Sequence, residues 1–186
     1  MTDEIVPLVA SARLFGRLLV RELDVDTLGE LARPGLRRAL ADVGVDVPGP
    51  ERLDDLAHEW LACFLHPEHT APPVHSLFRD GGYSGDAAVA VREIARAAGL
   101  ELAPGARNAP PDHIGCVLLL WAELAGRRPD LAALLAEQHM SWAERALQPT
   151  ASRGRDFPFY GPVAGAAVAL LRELRQALPP QRRASG

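Results

Sequence analysis

Apolar residues recur every three to four positions in almost every segment of this chain, and nowhere do they alternate over the length of a strand. Leu8, Ala12, Phe15 and Leu19 make one such stripe, with Arg13, Arg17 and Arg21 away from it. Leu53, Leu56, Trp60 and Phe64 make a second, and Tyr160, Val163, Ala167, Leu170 and Leu174 a third. That spacing lines up one face of a helix, and each stripe then needs another to bury against. There is no hairpin turn between β-branched runs, and no internal repeat. The expected class is all-α: one bundle-like domain over residues 1–178, with a frayed tail over 179–186.

Local punctuation divides the chain further. A short helix is expected from about Thr27 with Asp26 as N-cap, and another from Pro34 with Leu36 and Leu40 on one face. Pro67 should end the helix that carries Trp60 and Phe64. The Pro-, His- and Gly-rich stretch His66–Tyr83 reads as one long connection, and a loop of that length is often functional. A helix from near Ser84 to Ala98 follows, with Gly99 just past its end, then a loop from Leu100 to Pro111. The next helix should run from His113 to Ala125, and one more from Pro129 through Leu147. Gln148–Asp156 reads as a polar connector before a last helix from about Pro158 to Leu178.

With 186 residues, 48% of them hydrophobic, the chain can bury a real core. A net charge of -4 argues against binding a phosphate backbone. All 20 basic residues are Arg, which excludes a lysine phosphate loop and a Schiff-base lysine. Cys63 and Cys116 sit in apolar tracts and read as thiols of a cytoplasmic protein. The start, MTDEIVPL, has no basic leader, so no secretory signal is expected there. The longest candidate apolar run, Ile114–Leu120, falls well short of the ~20 residues that span a bilayer.

Chemistry-bearing residues gather in a few places. In PPDHIG, Pro110 and Pro111 fix an extended approach to Asp112, which suits an N-cap, with His113 in the first turn. The helix end disfavours a charged imidazole there, and the third position after the cap is Gly115, so no capping box forms. A catalytic Asp–His pair would need a nucleophile, and no nucleophile signature is present; an enzyme is not expected. Cys63, His66 and His69, with His75 beyond them, could be metal ligands, but not at the spacing of a common zinc module. Neither metal nor cofactor is expected. Trp60, Trp121 and Trp142 each fall on a helix, where they can pack in the core or stand at the mouth of an apolar groove.

Four ordered stretches together resemble the TorD/DmsD family of redox-enzyme maturation chaperones, which includes the nitrate-reductase chaperone NarJ. They are APPVHSLFRDGGYSGDAAVAVREIARAAGL, PPDHIGCVLLLWAELA, LLAEQHMSWAERAL and FPFYGPVAGAAVALLREL, over roughly residues 60–178. The family's Ser-aromatic turn, Pro-x-Asp-His helix start, His-x-x-Trp helix and aromatic-Tyr helix start match them in turn. Val74 and His75 stand where the family often has an aromatic and then an acidic or small residue, and Asn108 and Ala109 where it commonly has a Glu.

The resemblance implies an all-helical cytoplasmic chaperone, not an enzyme. Its partner would be the precursor or apo-subunit of a molybdopterin-dependent oxidoreductase, bound through an N-terminal twin-arginine signal. It implies no nucleic acid, no membrane span, and a monomer or helix-exchanged dimer. Weak guanine-nucleotide binding is attached to some members, and the lack of Lys gives that no support here. The binding wall is expected from Pro111, Asp112 and His113, with Pro73, Ser76 and Phe78 nearby and Trp60 and Trp121 as aromatics. Pro110, His139, Trp142, Phe159 and Tyr160 are expected to be structural. The competing reading is a helical small-molecule-binding or regulatory domain with no client protein.

Overall fold

The computed structural model describes residues 5–65, 72–83, 85–101 and 109–177. Among them run α1 (Ile5–Val20), α2 (Val25–Leu31), α3 (Pro34–Asp42), α4 (Leu53–Phe64), α5 (His75–Asp80), α6 (Asp86–Ala97), α7 (Ile114–Leu124), α8 (Pro129–His139), α9 (Ala143–Ala151) and α10 (Tyr160–Ala177). No strand occurs among the described residues; a lone antiparallel bridge joins Val74 to His113. The protein is all-α.

The stripe of α7 is nearly continuous: Ile114, Val117, Leu118, Leu120, Trp121 and Leu124 are all buried. Helix α7 therefore sits inside the bundle, with α1 and α8 against it, while α10 packs on α1, α8 and α9. The α1 stripe buries Ala12, Phe15 and Leu19, and that of α10 buries Tyr160, Val163, Ala167, Leu170 and Leu174. The α1–α7 contact is the most extensive in the molecule and runs through two glycines. A Cβ on Gly16 would stand 2.9 Å from the Gly115 carbonyl oxygen, and one on Gly115 would stand 2.7 Å from the Gly16 carbonyl oxygen.

Several element boundaries differ from the expected ones, each for a visible reason. Helix α2 starts two residues early, because Asp24 rather than Asp26 caps it, accepting from the Thr27 N–H at 2.8 Å and the Thr27 hydroxyl at 2.6 Å. The single helix expected from Pro129 through Leu147 is two. The Trp142 indole N–H donates to the His139 carbonyl at 2.8 Å, taking the acceptor that a continuous helix would use, and Ala143 N–H turns to the Met140 carbonyl. Helix α9 then runs on through Pro149 into the expected polar connector. Pro67 and Ser84 lie outside the described residues.

The last helix is capped from a distance. Glu59 of α4 accepts from the backbone N–H of Phe159 at 2.9 Å and of Tyr160 at 2.6 Å. Burial pushes this carboxyl up, and the two amides oppose that. Glu59→Ala should cost about 1–2 kcal/mol in urea unfolding, while Glu59→Gln, which keeps an acceptor, should cost under about half of that.

Candidate functional site

The long connection expected over 66–83 contains a helix, α5, and its position explains the site. Val74, the N-cap residue of α5, makes no side-chain hydrogen bond. The cap comes from 36 residues away. Asp112 Oδ2 accepts from the Ser76 N–H at 2.7 Å and from the Ser76 hydroxyl at 2.6 Å. The Asp112 carbonyl accepts from the His75 N–H at 3.2 Å, and the Pro73 carbonyl accepts from the Ile114 N–H at 2.9 Å. The two proline-led turns, PPVHS and PPDHI, are thus stitched together strand-like for a few residues, each opening a helix.

Asp112 is consequently not the cap of its own helix. That role falls to His113, whose Nδ1 accepts from the Gly115 N–H at 3.1 Å, which fixes the proton on Nε2. Asp112 is 0% exposed, and its second oxygen, Oδ1, has no hydrogen-bond partner among the described residues. A buried carboxyl oxygen without a partner costs free energy, which a donor from a ligand or water would offset.

Histidines and aromatics surround this carboxylate. The His75 ring lies flat on Trp142, with centroids 4.9 Å apart and planes 9° apart. His75 Nδ1 meets His139 Nδ1 at 3.3 Å, so one imidazole donates and the other accepts. Phe78, 41% exposed, tilts against Trp142 with centroids 5.8 Å apart. Burial pushes His113 down to about 4, against the pull of Asp112. Burial, with His75 beside it, also pushes His139 down to about 4, and burial lowers His75. Burial raises the Cys116 thiol to about 11, with Asp112 adding to the effect. Burial thus disfavours the charged form of all three imidazoles in the cluster.

A sign follows for acid stability. His113 binds its proton more weakly folded than unfolded, so its contribution is full above about 6.5 and is lost as pH falls towards 4. Moving from pH 7 to pH 5 should lower unfolding free energy by about 2 kcal/mol from His113. His113→Asn, which keeps a side-chain acceptor for the helix start, should remove that share of the slope in urea titrations at the two pH values and leave the share of His139.

Seven of the residues singled out in the sequence converge here: Pro73, Ser76, Phe78, Asp112, His113, His139 and Trp142, with Pro110 and Pro111 half-buried in the approach to them. His139 and Trp142 join the polar cluster as well as the core. Trp121 lies two turns along α7, fully buried, and Trp60 lies on α4 against Phe64, in a separate aromatic group with Tyr160 and Phe159. The Tyr160 hydroxyl faces the backbone of Leu23 without full hydrogen-bond geometry. His75 and Glu59 were not expected in structural roles: His75 stood out only as a possible ligand and as a departure in the turn, and no signal marks Glu59, since each acts on a partner distant in sequence. His66 and His69 lie outside the described residues, and no group of three or more metal-ligating side chains occurs among the described ones. No helix of the described chain is long and apolar enough to cross a membrane.

A search of curated proteins finds no match. A family model does match, that of the nitrate reductase delta subunit, over residues 24–150, about two thirds of the chain. The matched span includes α2 through most of α9, and with them the Asp112 cluster. The chain therefore belongs to the nitrate reductase delta subunit family, a family of molybdoenzyme maturation chaperones of the TorD/DmsD/NarJ kind rather than of catalysts.

Proposed function

We propose that this protein is a cytoplasmic chaperone that binds the N-terminal segment of a molybdenum-cofactor oxidoreductase, as a twin-arginine signal or as the start of the apo-subunit, and holds it for cofactor insertion. The observation that carries this reading is Asp112: a buried carboxyl with one oxygen unpartnered among the described residues, at the junction of two helix starts, one of which carries the exposed Phe78. Paired guanidinium donors fit a carboxylate in a bidentate geometry, and an apolar segment following them fits an aromatic lip. A signal that is disordered when free spends part of its contact energy on ordering, which keeps affinity moderate and release feasible.

The test uses a fluorescent peptide with two adjacent arginines followed by an apolar stretch, and measures anisotropy. Binding in the micromolar range is expected. Replacing both arginines by alanine, or Asp112 by Asn in the protein, should weaken it about tenfold or more. Equal binding of the arginine-free peptide would remove Asp112 from recognition and favour a purely apolar groove. No binding of either peptide would favour the small-molecule alternative.

A further inference from the structure

The carboxylate assigned to the client lies under a helix, and that helix is weakly held. Of the six residues of α5, only Ser76 is buried; Phe78, Arg79 and Asp80 are exposed. The helix therefore contributes little apolar burial to the bundle. Its ties among the described residues are few: Ser76 on Asp112 Oδ2, the His75 N–H on the Asp112 carbonyl, the His75 ring on Trp142 and against His139, Phe78 tilted on Trp142, and a short packing edge with α6. At its far end Gly81 adopts φ +74°, a left-handed turn that closes the helix. A segment with few buried apolar contacts opens at a lower free energy than the core does.

We propose that α5 is a lid over Asp112, which swings out between Val74 and Gly81 while the bundle stays folded, and that a client guanidinium displaces Ser76 from the carboxylate. This rests on the reading of Asp112 as the client's anchor. The hydrogen-bond count favours the exchange. Closed, two donors of Ser76 crowd onto Oδ2, and Oδ1 has none among the described residues. A guanidinium fork supplies one N–H to each oxygen, so both are satisfied once the lid leaves. Freed, the Ser76 N–H and hydroxyl take water as their partner. The closed lid is thus an internal competitor that only a ligand with paired donors replaces well.

Amide hydrogen exchange of the full chain tests both halves. Without peptide, the amides of His75, Ser76 and Phe78 should exchange at least about a hundredfold faster than those in the middle of α7, and their rates should respond little to low urea. Ser76→Ala should speed exchange in α5 by roughly tenfold to a hundredfold, the factor one charge-assisted hydrogen bond represents, and leave α7 unchanged. The same variant should bind the twin-arginine peptide more tightly, because a competitor is gone. Exchange in α5 as slow as in α7, and rising in step with it in urea, would show that α5 leaves only on global unfolding and would overturn the lid. Peptide binding that protects α5, or weaker binding by Ser76→Ala, would overturn displacement while leaving client binding intact. If no peptide binds, the client reading and the displacement fall together, whereas local opening is judged by the first comparison alone.

Discussion

Alanine in place of Gly115 is expected to lower unfolding free energy by about 3 kcal/mol, at the upper end for overpacking, because backbone as well as side chains must move. The new Cβ would overlap the Val20 side chain and stand 2.7 Å from the Gly16 carbonyl oxygen and 3.1 Å from the Val20 nitrogen. Val20 can change rotamer, but the carbonyl belongs to α1 and moves only with it. The largest helix–helix contact in the molecule must then spread. Gly165 is the control, since a Cβ there meets nothing closer than the Ala151 Cβ at 4.0 Å. Gly165→Ala should be neutral or stabilise by up to about 1 kcal/mol through helix propensity and chain entropy. Urea midpoints of the two variants, at constant m-value, decide between a steric and a propensity account.

Asp112→Ala should cost about as much, about 3 kcal/mol, by another route. It removes both acceptor contacts of Ser76, a residue that is 0% exposed, and leaves its N–H and hydroxyl without a partner in the closed state. Asp112→Asn keeps a carbonyl oxygen where Oδ2 stands and should cost about 1 kcal/mol or less. The pair also separates stability from recognition. The Asn variant should stay folded and still lose most of its twin-arginine peptide binding, because its amide cannot supply two acceptors or a charge. An Asn variant that binds normally would confine Asp112 to holding α5.

The stripes on α1, α4 and α10, and the apolar run of α7, were legible in the sequence because their partners need only be apolar and on the right face. The class of fold follows from that alone. Helix α5 was not legible: its cap is Asp112, 36 residues on, and the residues before it read as loop. The break between α8 and α9 was hidden for a related reason. Trp142 and His139 stand three apart, which suits one helix, and only the indole N–H on the His139 carbonyl shows that they end one. At the site, PPDH was recognisable as a helix start, but which side chain caps which helix depends on a contact between two proline-led turns that no local pattern specifies. The same holds for Glu59 and the start of α10. Side chains that act across the fold are where local periodicity stops informing.

The central claim is that this protein holds a molybdoenzyme chain before its maturation. Its most direct measurement is affinity purification of the protein from its native host, at native expression level, with identification of the bound chains by mass spectrometry. The catalytic subunit of a molybdopterin-dependent oxidoreductase should be enriched, with its N-terminal segment intact, and that enrichment should be lost with Asp112→Asn. Recovery of the wild-type protein with no such subunit, under conditions where the oxidoreductase is being made, would contradict it.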